Sequence, residues 1–78
     1  MPQIIVYVTD YCPYCHAAIE LLKKRNLSHQ VVDVSDPAKK MALKAKTGWQ
    51  TVPQIFIDDK LIGGYQELVA LDRAGKLN

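Results

Sequence analysis

Apolar residues run without a polar break from Ile4 to Val8, preceded by Gln3. A β-branched and aromatic run of this kind predicts a strand over Gln3–Val8, and its lack of alternation predicts burial on both faces. Thr9-Asp10-Tyr11 reads as a short polar loop. From Cys12 the period changes. Cys15, Ala18, Ile19 and Leu22 recur at helical spacing, so a helix opens at Cys12 with one apolar stripe. Pro13 suits its first position, where the missing N–H costs nothing. Lys23, Lys24 and Arg25 favour its C-terminal dipole, and Asn26 suits a left-handed stop.

A second strand is predicted over His29–Val34. Asp36-Pro37 reads as an N-cap followed by proline at the first helical position. The helix it starts runs to about Thr47, with Gly48 as its stop. Ala38, Met41, Ala42 and Ala45 form its expected inner face, and Lys39, Lys40, Lys44 and Lys46 its solvated one. Gln54–Ile57 and Lys60–Ile62 flank Asp58-Asp59 as a short hairpin, although Asp-Asp suits such a turn less well than Asp-Gly. Gly63-Gly64 marks a tight corner. A last helix spans roughly Tyr65 to Ala74, with Leu68 and Leu71 inward and Gly75 as its stop. The order β-α-β-α-β-β-α predicts an α/β fold. A parallel crossover followed by a hairpin gives a four-stranded mixed sheet flanked by three helices.

Length and composition narrow the picture. Seventy-eight residues make one domain at most, expected over residues 1–78, and 49% hydrophobic content argues against disorder. A net charge of +2 gives no basic footprint for nucleic acid. No run approaches the roughly 20 apolar residues of a membrane helix. The apolar start lacks a basic n-region and is too short for a signal h-region. The expectation is a cytoplasmic monomer with neither a membrane nor a nucleic-acid partner.

The chemistry lies in the two cysteines, Cys12 and Cys15. Cys12 follows a loop and opens a helix, where unpaired backbone N–H groups and the helix dipole favour a thiolate, the nucleophile of disulfide exchange. Cys15 lies one turn later, within disulfide reach and on the apolar stripe. It is expected to be more buried and less acidic, which suits a resolving thiol. A chance pair with a structural role competes with this reading, but the strand–loop–helix context argues against it. A zinc site needs about four ligands, and Cys12, Cys15, His16 and His29 are the available set. Their thiols open a helix rather than a knuckle. Cys12-Pro-Tyr-Cys15-His16 also fits the C-x-x-C-H pattern of c-type haem. Haem would need an export route and a large apolar pocket, neither of which this pattern offers. No metal or haem is expected.

Two further constellations stand out. Pro53 in Thr51-Val52-Pro53 opens a strand, a permitted place for proline. A cis Val52–Pro53 beside Cys12 would offer free backbone groups to a peptide-like substrate by strand addition; an ordinary strand entry is the plainer reading. Gly63-Gly64 before the last helix would leave free N–H groups at Gly64, Tyr65 and Gln66, an anion site at a helix N-terminus; a simple tight turn is the plainer reading.

Taken together, Cys12-Pro-Tyr-Cys15, Thr51-Val52-Pro53-Gln54-Ile55-Phe56-Ile57, Gly63-Gly64 and Leu71-Asp72 resemble the glutaredoxins of the dithiol Cys-Pro-Tyr-Cys type, across essentially the whole chain. Thioredoxins usually carry Cys-Gly-Pro-Cys, and monothiol relatives Cys-Gly-Phe-Ser. The resemblance implies a thioredoxin-like fold and a glutathione-disulfide oxidoreductase acting on protein disulfides and glutathione mixed disulfides. It implies Cys12 as nucleophile, Cys15 as resolving thiol and glutathione as co-substrate. Tyr14, Thr51, Val52 and a cis-Pro53 would line the glutathione groove, with Gly64, Tyr65 and Gln66 receiving the γ-glutamyl end. An electron donor reduced by thioredoxin reductase is a related alternative. A glutathione-ligated [2Fe–2S] carrier is another, which the rigid Pro13 disfavours. Three positions depart from the family pattern. Thr9 stands where lysine is common, Trp49 where a basic or polar residue is frequent, and Gln66 where aspartate usually meets the glutathione amine, with Glu67 only a neighbour. Each change removes a charge, so weaker glutathione binding than in relatives is expected.

Overall fold

The computed structural model describes residues 3–77. The elements follow the expected order: β1 (Ile4–Val8), α1 (Pro13–Lys24), β2 (Gln30–Asp33), α2 (Pro37–Thr47), β3 (Gln54–Ile57), β4 (Lys60–Gly63) and α3 (Tyr65–Arg73). They form a thioredoxin-like fold around one four-stranded sheet ordered β2-β1-β3-β4. β1 runs parallel to β2 and antiparallel to β3, and β3 and β4 form the hairpin. Among the described residues no helix is long and apolar enough to cross a membrane.

β1 departs from the expected burial on both faces. Ile4, Val6 and Val8 are buried, while Ile5 and Tyr7 are only partly covered. The buried set packs with Ala18 and Leu22 of α1, Ile55 of β3 and Leu68 of α3. Leu77, beyond the last helix, completes this core and was not anticipated from the pattern. On the other face, Tyr7 and Phe56 meet edge to face with ring centroids 5.4 Å apart. The core therefore lies between the sheet and the helix pair α1 and α3. Arg25 clamps those two helices through a bidentate pair with Asp72, at 2.7 and 2.9 Å. The guanidinium holds the Asp72 carboxyl below the usual carboxylate range. The stability this pair adds is present at neutral pH and fades as acid protonates Asp72 through that lowered range.

α2 is also corrected. Ala38, Met41, Ala42 and Ala45, the expected inner face, are all exposed, and Met41 is 72% exposed. Leu43 is the one buried residue of this helix, flanked by half-buried Lys40, Lys44 and Thr47. One leucine removes more apolar area from water than several alanines, and the lysine stems can lie along the surface while their ammonium groups stay wet. Helix ends behave as the residues predict. Asn26 adopts φ 57°, and Gly48 ends α2 at φ 74°.

The hairpin turn places both Asp58 and Asp59 in the left-handed region, at φ 49° and 67°. Asp58 has a compensation, since its carboxylate accepts from the Gln3 N–H at 2.9 Å. No hydrogen bond or ion pair involving Asp59's side chain is seen among the described residues. Asp59→Gly is therefore expected to raise stability by about 0.5–1 kcal/mol, read as a shift in the urea midpoint.

Candidate functional site

The site is built where β1 runs into α1. Thr9, Asp10 and Tyr11 carry the chain across the top of the sheet, and the Ser35 hydroxyl accepts from the Asp10 N–H at 3.0 Å to fix this turn. Cys12 is the N-cap of α1, in extended conformation, with Pro13 as the first helical residue. A cap normally offers an oxygen to a free amide of the first turn. Here sulfur takes that role: the Cys15 N–H donates to Cys12 Sγ at 3.1 Å. The same Sγ, as a thiol, donates to the Val52 carbonyl at 3.6 Å. Both cysteines are thiols. Cys12 is 8% exposed and Cys15 only 1%. Burial pushes the Cys15 thiol up to about 12, and the neighbouring Cys12 side chain adds to the rise. Cys15 is thus held protonated at neutral pH.

The Val52 carbonyl that meets Cys12 precedes a cis Val52–Pro53 bond. Pro53 and Gln54 are buried at the start of β3, leaving Thr51 exposed and Val52 half-buried at the rim. Beside them lies a cleft of about 380 Å³. One wall is Thr51, Val52 and Pro53, with Trp49 beyond them; the other is Gly64, Tyr65, Gln66 and Glu67, and Tyr14 of α1 closes one side. Tyr14 and Tyr65 approach with ring centroids 6.1 Å apart. The structure thus brings Tyr14, Thr51, Val52, Pro53, Gly64, Tyr65 and Gln66 to one cleft, joined to Cys12 through Val52.

The expected free N–H group at Gly64 is not free. Glu67 Oε1 accepts from it at 2.9 Å, the glutamate half of a capping box at the start of α3, which Gly64 without a side chain cannot reciprocate. The spacing of Glu67, three residues after the N-cap Gly64, carries this signal, which the sequence reading passed over. Glu67 lines the cleft rather than merely neighbouring it, and it is the one formally charged side chain among the lining residues. The cleft thus offers a carboxylate for an ammonium group, with backbone amides and neutral donors for anions. Trp49 lines the cleft too.

Gly63 explains why the corner needs glycine. It sits at φ 124°, and a Cβ there would lie 2.7 Å from Glu67 Cγ. A larger residue would force Glu67 out and open the cap. Gly63→Ala is expected to lower stability by about 1–3 kcal/mol, measured by thermal or urea unfolding.

Among the described residues no group of three or more His, Cys, Asp or Glu side chains is placed to hold a metal. The arrangement is suited to thiol chemistry at Cys12, at the edge of this cleft.

Comparison with known proteins agrees with this geometry. The family model for glutaredoxin matches residues 4–62. The chain is 40% identical to the glutaredoxin of Pseudomonas aeruginosa over 79 residues, covering 100% of this chain and 94% of that one. It is equally 40% identical to glutaredoxin 3 of Escherichia coli K12 over 79 residues, covering 100% and 95%. Among solved structures, a buckwheat glutaredoxin in complex with glutathione superposes with a TM-score of 0.86 at 30% identity, covering 97% of this chain and 73% of that one.

Proposed function

Because the chain belongs to the glutaredoxin family, we propose that this thiol oxidoreductase is a dithiol enzyme that uses glutathione to reduce protein disulfides and glutathione mixed disulfides. The observation that carries the proposal is the Cys12 sulfur itself. It is held at the head of α1 by the Cys15 N–H and faces the Val52 carbonyl at the edge of the cleft.

Cys12, as thiolate, attacks one sulfur of the substrate disulfide. A bond forms between that sulfur and Cys12, the substrate S–S bond breaks, and the other sulfur leaves as a thiolate. The helix head meets the reactive sulfur with a backbone donor throughout, since the Cys15 N–H bond is stronger to an anion than to a neutral thiol. Two resolutions follow. Glutathione thiolate attacks the glutathione sulfur of a mixed disulfide, releasing glutathione disulfide and returning Cys12. With a protein substrate, Cys15 gives up its proton and attacks Cys12, releasing the reduced protein and leaving a Cys12–Cys15 disulfide for two glutathiones to reduce. Part of what keeps Cys15 protonated comes from Cys12. That part disappears once the Cys12 sulfur is bonded and neutral, so Cys15 becomes easier to ionise at the step that needs it.

The cleft supports glutathione as the occupant. Its strand-like wall at Thr51 and Val52 matches a peptide backbone, and Glu67 matches the γ-glutamyl ammonium. The related buckwheat protein is a glutathione complex. The absence of lysine and arginine from the lining favours weak binding of the two glutathione carboxylates, and it gives a donor reduced by thioredoxin reductase a place as the second reading. We assign the enzyme to the reducing cytoplasm as a monomer, with no resident metal.

A coupled assay separates the two readings. With hydroxyethyl disulfide as substrate, NADPH oxidation should require this protein, glutathione and glutathione reductase together, and should saturate only at high glutathione. Turnover with thioredoxin reductase and none with glutathione would overturn the proposal.

A further inference from the structure

Among the described residues four large apolar side chains stand exposed: Tyr11, Tyr14, Val31 and Met41. Val31 lies on β2 and Met41 on α2, but the two tyrosines flank the reactive thiol, Tyr11 just before Cys12 and Tyr14 two residues after it. Tyr14 belongs to the cleft, which it lines while its ring approaches Tyr65. Tyr11 is 94% exposed and is absent from the cleft lining. The ring pairs seen among the described residues use the other three tyrosines, Tyr7, Tyr14 and Tyr65. Neither the fold nor the cleft uses the Tyr11 ring.

A lone exposed aromatic is ordinary on a protein surface. What sets this one apart is where it is held. On one side of it the Asp10 N–H donates to the Ser35 hydroxyl at 3.0 Å. On the other, Cys12 caps α1 and its sulfur accepts from the Cys15 N–H at 3.1 Å. The ring therefore stands on an anchored loop, one Cα step of about 3.8 Å from the nucleophile's own Cα. Any chain that becomes bonded to Cys12 comes within its reach. A tyrosine ring offers a large contact area for the loss of only two side-chain torsions, which is why such rings are over-represented among the residues that anchor protein interfaces.

The size of the cleft decides which substrates need this contact. At about 380 Å³ it is near the lower end of small-molecule sites, enough for a short peptide thiol. A protein disulfide brings chain on both sides of each cysteine, and part of that chain must rest outside. The exposed residues that adjoin Cys12 in the chain are Tyr11 and Pro13, and Tyr11 is the larger apolar surface of the two.

We propose that Tyr11 is a specificity-determining residue for polypeptide substrates: its ring packs on an apolar residue beside the cysteine of a protein disulfide while Cys12 attacks, and small disulfides react without it. The proposal rests on the protein-disulfide part of the function proposed above and is independent of which reductant restores the enzyme.

The test therefore omits glutathione. The fully reduced protein is mixed with an excess of each of three disulfides, and the second-order rate of its oxidation is read by quenching and mass analysis. One is hydroxyethyl disulfide. The others are symmetrical disulfides of a short synthetic peptide, with leucine on both sides of its cysteine in the first and serine in the second. Wild-type protein should react about tenfold faster with the leucine peptide than with the serine peptide. Tyr11→Ala should lose that preference by slowing about tenfold on the leucine peptide alone, and should stay within about twofold of wild type on hydroxyethyl disulfide and in its urea midpoint. Tyr11→Phe, which keeps the ring, should behave as wild type. Equal rates of wild-type protein on the two peptides would overturn the proposal without any variant. So would a Tyr11→Ala protein that slows equally on all three disulfides, since the loop and not the contact would then be at fault, or one that keeps the leucine preference. A wild-type protein that oxidises with hydroxyethyl disulfide and with neither peptide removes the protein-disulfide reading and this inference with it, whereas one that takes both peptides without preference removes this inference alone.

Discussion

Cys12→Ser is expected to lower glutathione-coupled reductase activity by about a thousandfold or more, with little change in unfolding midpoint. A hydroxyl at the same position is a far weaker nucleophile, and it cannot form the mixed disulfide on which each later step depends. The fold should tolerate the change. Serine is a preferred N-cap residue and can accept the Cys15 N–H as the sulfur does. Activity in the hydroxyethyl disulfide assay and a urea unfolding curve on the same preparation check both halves. Loss of activity accompanied by unfolding would point to a structural thiol instead.

Cys15→Ser is expected to divide the two activities. Reduction of a glutathionylated peptide should stay within about threefold of wild type, because glutathione can resolve that intermediate from solution. Reduction of a protein disulfide should fall by about a hundredfold, because its mixed disulfide with Cys12 loses the thiol held one turn away. The trapped complex should be visible as a protein–protein adduct on a non-reducing gel. At 1% exposure, Cys15 is shielded from solution thiols, while its backbone N–H lies 3.1 Å from Cys12 Sγ. Equal loss of both activities would place Cys15 in the first attack.

Both expectations come from a part of the molecule that is plainly written in the chain. The loop after β1, Pro13 at the first helical position and the stripe Cys15, Ala18, Ile19 and Leu22 are all local signals. They place Cys12 at a helix head with Cys15 behind it, where the structure has them. The walls of the cleft were legible mainly through resemblance, since Thr51, Val52, Gly64 and Tyr65 are far apart in sequence and meet only through the β3–β4 hairpin. What the pattern missed is of two kinds. α2 offered an alanine stripe as regular as any, yet the single Leu43 decides which face turns inward, because burial follows area and not periodicity alone. Trp49, Gln54 and Glu67 have roles created by the fold. The Gln54 carboxamide reaches back across five residues to the Trp49 carbonyl. The Glu67 carboxylate returns to the amide of Gly64, an N-cap position that leaves its own trace in the spacing of glycine and glutamate.

Limited alkylation of the reduced native protein tests the central claim most directly. One equivalent of iodoacetamide at neutral pH, followed by peptide mass mapping, should place the label on Cys12 and leave Cys15, buried and pushed up to about 12, unmodified. Label appearing first on Cys15, or equally on both sulfurs, would contradict the account.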